Sequence, residues 1–457
     1  MLTRIANGDS RLSRWLRVRE FAVPPAMIET ATARRHAGDW AGACTAAGVD
    51  LDFGLRGLTH RHGRELASQV RSDLRRLAPD LLRWHLPRIA PDGLLRPGLT
   101  IALARYRTDG RHPVHLVVRT PPAWADAGQR VSLGVWDGSR AAPTSWGPPH
   151  PRPDPRFRLD LHRHLWDACR AGELRSRSGA DGGPPATPEL TALVPPGYSC
   201  AVDRWAAEAA VLLRAEGRST GAVGVRLGAR HRLLLELDGA QGATLRPAVA
   251  SRERGAPPPP VLPDAATWTL PDLDLLRAGL IEADRLHPLV ASALVPDHPP
   301  TAPSHRPDPA GQPQLVECRG ARHRIGLVDG VLSALDHDPA ELRREELLVA
   351  LSGTPLPCLR AIDLAHRHPD CLVGVRERLD HGDIAGALTV VEGLLGPNAL
   401  LRSGDLRDEL ETVAQRRISY GLFRAGLAGP GVGPLRGRTD GRRTAMRRSH
   451  PRHALNH

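Results

Sequence analysis

Apolar residues recur every three or four positions through most of the first 86 residues and again toward the far end of the chain, and shorter alternating runs lie between. The first spacing predicts amphipathic helices; the alternation predicts strands buried on one face. From Ala26 to Leu86 the pattern is helical. Within it "ARRHAGDWAGACTAAG" reads as helix, turn, helix, because Gly38 can close one helix and Asp39 can cap the next. "ELASQVRSDLRRLAPDLLRWHL" follows as helix and stops against Pro87 and Pro91.

Leu99, Ile101 and Leu103 then alternate, and "VHLVV" and "VSLGVW" follow, which predicts a small antiparallel sheet. "RLDLHRHLWDACRAGEL" predicts a helix, and "DRWAAEAAVLLRAEG" (Asp203–Gly217) an amphipathic helix leading into strands at about 222–227 and 230–237. Helices are expected at about 270–295, strands at 315–335, and helices from there to about Leu427.

Proline divides this order. The dense stretches 143–157 and 296–313 read as linkers between an N-terminal region (1–142), a central α+β region (158–295) and a hairpin-plus-helix region (314–428). Residues 429–457 read as a disordered Arg-rich tail. The expected fold class is α+β, predominantly helical with several antiparallel β-hairpins. Neither the regular βαβ alternation of a doubly wound sheet nor an all-β spacing is present.

Two echoes run through the pattern. "GARHRLLLELDG" (Gly228–Gly239) and "GARHRIGLVDG" (Gly320–Gly330) each place a His at the end of an apolar row, His231 with Leu233, Leu235 and Leu237, and His323 with Ile325 and Leu327. The His-to-Asp gap is seven in the first and six in the second, so Asp238 and Asp329 fall on opposite faces. Two hairpins of similar type are expected, rather than a duplicated site. "AGDWAGA" (37–43) and "HGDIAGA" (381–387) likewise read as local helical hairpins.

Composition removes several chemistries. All 62 basic residues are Arg, so a Schiff-base lysine, a Walker A loop and the paired lysine of a protein kinase are excluded. Aromatic residues make up only 4%, so the core rests on Leu, Val and Ala. The net charge is +12, but residues 429–457 carry seven Arg and one Asp, half of that excess. Nonspecific phosphate contact is therefore an expectation for the tail alone, with Arg442, Arg443, Arg447 and Arg448 as its candidates. Six scattered Cys without a CxxC pair fit reduced thiols, and no apolar leader or 18-residue apolar run is present, so a cytoplasmic protein without membrane contact is expected.

Candidate chemistry is sparse. "GRSTG" around Ser219 matches the nucleophile-elbow expression, but its order is helix, turn, strand, the reverse of what an elbow needs. The three "HRH" runs, at His60/His62, His162/His164 and His366/His368, are expected in or at the end of helices. Residues two apart there point about 200° away from each other and do not chelate one ion. The densest cluster is "PCLRAIDLAHRHPDC", which supplies Cys358 as a candidate thiol and His366, His368 and Cys371 as candidate metal ligands if the chain turns at Pro369. "DHDPAE" supplies Asp336 and His337 as acid/base candidates, while Asp338, Pro339 and Glu341 read as an N-cap, a first helical position and a capping box. No cofactor is expected. The leading expectation is a non-enzymatic scaffold or adaptor for a protein partner. Nucleic-acid binding through the tail, and a metal- or thiol-dependent enzyme centred on 358–371, are the alternatives.

Overall fold

The computed structural model describes residues 11–138, 152–297, 314–344, 375–395 and 405–427, with short breaks inside the first three stretches, together with Pro357 and Leu359. The described residues form two compact units, one within residues 11–297 and one within residues 314–427. The fold is mixed α+β.

The first unit opens with helices α1 (Pro25–His36) and α2 (Trp40–Ala46), joined as the sequence predicts. Gly38 takes a left-handed φ of 77°, which closes α1, and the Asp39 carboxylate accepts from the Gly42 N–H at 2.8 Å, which caps α2. Helix α3 (Leu55–Arg76) and helix α4 (Pro79–His85) follow. The single helix expected over Glu65–Leu86 is therefore two, because Pro79 brings no N–H and starts a new helix instead of continuing the old one. Leu66, Val70 and Leu74 of α3 share one core with Leu81 and Leu82 of α4.

That core rests on a four-stranded sheet in the order β1-β4-β3-β2, made of β1 (Val49–Leu51), β2 (Thr100–Tyr106), β3 (Val114–Arg119) and β4 (Val131–Trp136). The alternating runs did become β2, β3 and β4. The sheet is mixed, however, because β1 pairs with β4 in parallel. A parallel pair needs a long crossover, and residues 52–130 supply one.

The free edge of β2 is covered by residues 154–160, which lie beyond β4 in the chain. Asp154 N–H donates to the Thr100 carbonyl and Asp160 N–H to that of Ala102, both at 2.9 Å. The helix expected across 158–174 is absent for the same reason. Its backbone groups are spent elsewhere: Ala168 N–H donates to Arg76 and Ala78 N–H to the Trp166 carbonyl, both at 2.8 Å, so only two 3-10 turns and a five-residue helix (Leu174–Ser178) form.

Helix α5 (Trp205–Ala215) packs on a three-stranded antiparallel sheet of β5 (Gly221–Leu227), β6 (His231–Leu237) and β7 (Ala243–Pro247). Leu233 and Leu235 are buried while Arg232 is exposed, so the period of two sets the faces of β6. Helices α6 (Pro271–Arg277) and α7 (Pro288–Leu294) close the unit, each with Pro at its start.

The second unit pairs β8 (Gln314–Cys318), β9 (Ala321–Val328) and β10 (Val331–Ala334) in the order β10-β9-β8, all antiparallel. Helices α8 (Val375–His381), α9 (Ile384–Leu395) and α10 (Asp405–Arg424) follow, with α9 packed on β9 and β10, and α8 against both α9 and α10. The two "GARHR" stretches thus become the central strands of two separate meanders. In the first unit the covering helix precedes its sheet; in the second it follows. The shared sequence makes a shared kind of strand in unlike surroundings.

Among the described residues no helix is long and apolar enough to cross a membrane.

Candidate functional site

Asp336 and His337 lie just after β10, at the exposed end of the second sheet. The Asp336 carboxylate accepts from the Arg324 backbone N–H and from its guanidinium Nη2, each at 2.7 Å. These bonds from β9 hold the Asp336 carboxyl down at about 2, so at neutral pH it is an acceptor and a feeble base. The His337 ring stacks on His323 with centroids 4.1 Å apart, and its Nδ1 lies 3.9 Å from Glu341. Ala340 N–H donates to Asp338 at 3.0 Å, the cap read from "DHDPAE". Cys358, His366, His368 and Cys371 lie outside the described residues, as do Arg442, Arg443, Arg447 and Arg448. Among the described residues no three His, Cys, Asp or Glu side chains are placed to hold one metal ion.

Pairings of a catalytic type occur in the first unit, where sequence reasoning had placed none. His287 Nε2 meets the Asp80 carboxylate at 2.9 Å, as a general base and its orienting acid do. Here, though, His287 Nδ1 accepts from the Leu289 N–H at 3.1 Å and caps α7. Both ring nitrogens are occupied, so this imidazole positions a helix and has no lone pair left for a substrate proton. His162 is also engaged at both nitrogens, but there each faces an acceptor, Nδ1 the Arg158 carbonyl at 2.9 Å and Nε2 the Glu208 carboxylate at 3.1 Å. Arg177 adds two charge-assisted bonds to Glu208, at 2.5 and 2.6 Å. Burial alone would raise the Glu208 carboxyl; the bonds from His162 and Arg177 outweigh it and hold the group down at about 2.

A third cluster surrounds Asp73, which accepts from the Tyr106 hydroxyl at 2.7 Å and from Arg76 at 2.5 Å, with Arg163 bridging it to Asp167. These buried ions tie α3, β2 and the irregular segment 156–178 together. The pairs that cross between distant segments lie up to 207 residues apart, so no local spacing announced those. The "HRH" run at 162–164 was the only visible trace, and its expected helix would have pointed the rings apart. In the 3-10 turn they meet edge to face, with centroids 5.8 Å apart. Ser219 lies in the turn between α5 and β5, in the order helix, turn, strand.

Helix α10 offers a surface of another kind. Its buried face includes Val413 and Tyr420. On a different face Ile418 and Leu422 are 56% and 41% exposed, one helical turn apart, with Ala414 and Ala425 exposed before and after them. Leu427, just beyond the helix, is 72% exposed. Scattered apolar residues on a surface are ordinary, whereas these two align on one helix. Charge is uneven along the same helix: Asp405, Asp408, Glu409 and Glu411 lie in its first half with Arg407, which pairs with Glu411 at 2.8 Å, and Arg416, Arg417 and Arg424 in its second.

No family model, curated protein or solved structure matches this chain.

Proposed function

We propose that this chain is a cytoplasmic, non-catalytic adaptor that docks a partner protein on helix α10. The observation that carries the reading is the Ile418–Leu422 stripe, whose two large side chains stand exposed in line on the last described helix. A partner helix laid against it would bury that row, as amphipathic helices do in groove recognition. The excess of acidic residues in the first half of α10 and of arginine in its second would fix the partner's direction. The buried histidine and carboxylate pairs of the first unit support the non-catalytic part, since their lone pairs are spent on helix caps and ion pairs. The free thiols of Cys44, Cys169, Cys200 and Cys318 fit a reducing compartment.

The test compares the full chain with an Ile418→Asp, Leu422→Asp double variant, each purified from its native host at physiological salt after circular dichroism has shown equal helicity. A stoichiometric protein partner that the double variant loses supports the reading. A partner held equally by both, or none with either, overturns it.

A further inference from the structure

The first unit encloses a cavity of about 150 Å³ between residues 11–15, the end of α4, β2, the segment 157–165 and the turn 264–271. Its wall is largely apolar, built from Trp15, Ile101, Phe157, Leu159, Leu165 and Trp268. Ala265, also on the wall, is exposed and marks where the cavity opens to solvent.

Set into this wall are buried nitrogens without hydrogen-bond partners. Trp15 Nε1, His85 Nε2 and Arg88 Nε are all out of solvent and none makes a hydrogen bond. All three residues line the same cavity. Buried donors left unmatched cost free energy, and several around one space call for an acceptor within it. Charge points the same way. The Arg88 side chain is buried, and its Nη1 and Nη2 donate to the Gly93 and Arg83 carbonyls at 2.9 and 2.7 Å, which caps the backbone but supplies no counter-ion. After burial itself, Arg83 and Arg14 act most strongly on Arg88, and both are cations that push its pKa further down. Arg14, a second buried arginine of the wall, is held down at about 10 by burial and by Arg11. Asp264, the carboxylate on the wall, is already bound to Arg156 at 2.9 Å.

We infer that this cavity binds a single-ring aromatic carboxylate, with its ring against the apolar wall and its carboxylate toward Arg88, Arg14 and the idle N–H groups of His85 and Trp15. A carboxylate is an acceptor only, so it can satisfy several of those donors at once. Size selects the body: an apolar cavity of about 150 Å³ holds benzene. A phosphate would bring the charge but nothing to fill the space around Trp15 and Trp268, and a neutral ring would leave Arg88 without a counter-ion. Burial also pushes His85 down to about 3, with His287 and Arg88 adding to the effect, so its ring is neutral at physiological pH and can present Nε2–H as a donor without competing for charge.

The experiment is isothermal titration calorimetry on the full chain with benzoate, benzyl alcohol, acetate and inorganic phosphate as separate probes. Benzoate is expected to bind one per chain, and the other three at least about ten-fold more weakly. Arg88→Met should weaken benzoate by a further ten-fold or more, about the loss of one charge-assisted contact. Because Arg88 also caps two carbonyls, a second variant, Ala265→Trp, plugs the opening from an exposed position and should abolish benzoate binding while Arg88 stays in place. No saturation by benzoate up to about 10 mM overturns the inference, since a Kd above that is an affinity below about 2.7 kcal/mol. So does equal binding of benzyl alcohol, which makes the cavity merely apolar, or equal binding of acetate or phosphate, which makes it an anion site without a ring subsite. Benzoate affinity unchanged in Ala265→Trp places the ligand elsewhere and also overturns it.

Discussion

The indole N–H of Trp84 donates to Asp272 Oδ2 at 2.7 Å, joining α4 to α6 across 188 residues of chain. Arg19 completes the arrangement, 3.6 Å from the other carboxylate oxygen and 5.4 Å above the indole ring. Burial raises the Asp272 carboxyl, and Arg19 and the indole hydrogen bond work against that rise. Asp272→Ala would leave a buried cation and a buried indole N–H unmatched. It is expected to cost about 3 kcal/mol in the unfolding of the first unit, a loss readable in urea titrations. Asp272→Asn, whose amide oxygen can still accept from Trp84, should cost less. Equal midpoints for Asp272→Ala and the parent chain would sink the assignment.

The two "GD(W/I)AGA" stretches fold alike. Asp39 accepts from Gly42 N–H at 2.8 Å and from Arg34 at 3.0 Å; Asp383 accepts from Gly386 N–H at 3.0 Å and from Arg378 at 2.9 Å. A Cβ on Gly42 would lie 2.1 Å from the Asp39 carboxylate, and one on Gly386 2.2 Å from that of Asp383. Gly→Ala inside a helix ordinarily stabilises by up to about 1 kcal/mol. At Gly42 and Gly386 the sign should reverse, with a net loss of about 1 kcal/mol as the cap is pushed out. Thermal melts of the two Ala variants decide it, and a rise in Tm for either removes the steric argument there.

Acid stability should depend on Glu208. Its carboxyl is ordinarily near 4.5 and is held at about 2 in the folded chain, so the ionised form is what folding favours. The stabilisation is complete above the unfolded value and is lost as pH falls from about 4.5 through about 2. Glu208→Gln should lower stability at pH 7 by about 3 kcal/mol and flatten the pH dependence in that window. An unchanged acid limb in Glu208→Gln would show that other carboxylates set it.

The Arg-rich stretch 429–457 makes its own prediction. If its seven Arg meet duplex phosphate, removing it should reduce the slope of log affinity against log salt by about 6. The measurement is nonspecific DNA binding at several salt concentrations for the full chain and for one ending at Ala428. Identical slopes would take the tail out of any nucleic-acid contact.

Local pattern was a good guide wherever the hydrogen bonds are local. Asp39 and Asp338 cap as their neighbours imply, Asp203–Gly217 contains a helix, and the alternating runs are strands. It failed across 158–174, where apolar spacing imitated a helix but the backbone bonds go to Arg76, Ala78 and Ala102 instead. It also gave no view of the candidate sites. The cavity gathers residues from 11 to 271, and nothing in the spacing of Trp15, Arg88 and Trp268 relates one to another. The Ile418–Leu422 row was present in the sequence as an i, i+4 pair, but whether it faces the core or the solvent is a property of the packing.

By itself, then, the sequence determined the α+β class, most element positions, the helix caps and the chemistries that a chain without lysine forgoes, because all of these depend on residue type and on neighbours within a few positions. Tertiary structure alone decided the parallel pairing of β1 with β4, the ion pairs of Asp73, Glu208 and Asp272, the cavity with its idle donors and the exposed face of α10. Each of those depends on which distant segment arrives opposite a given side chain, and that choice is made by the burial of the whole core rather than by any stretch of it.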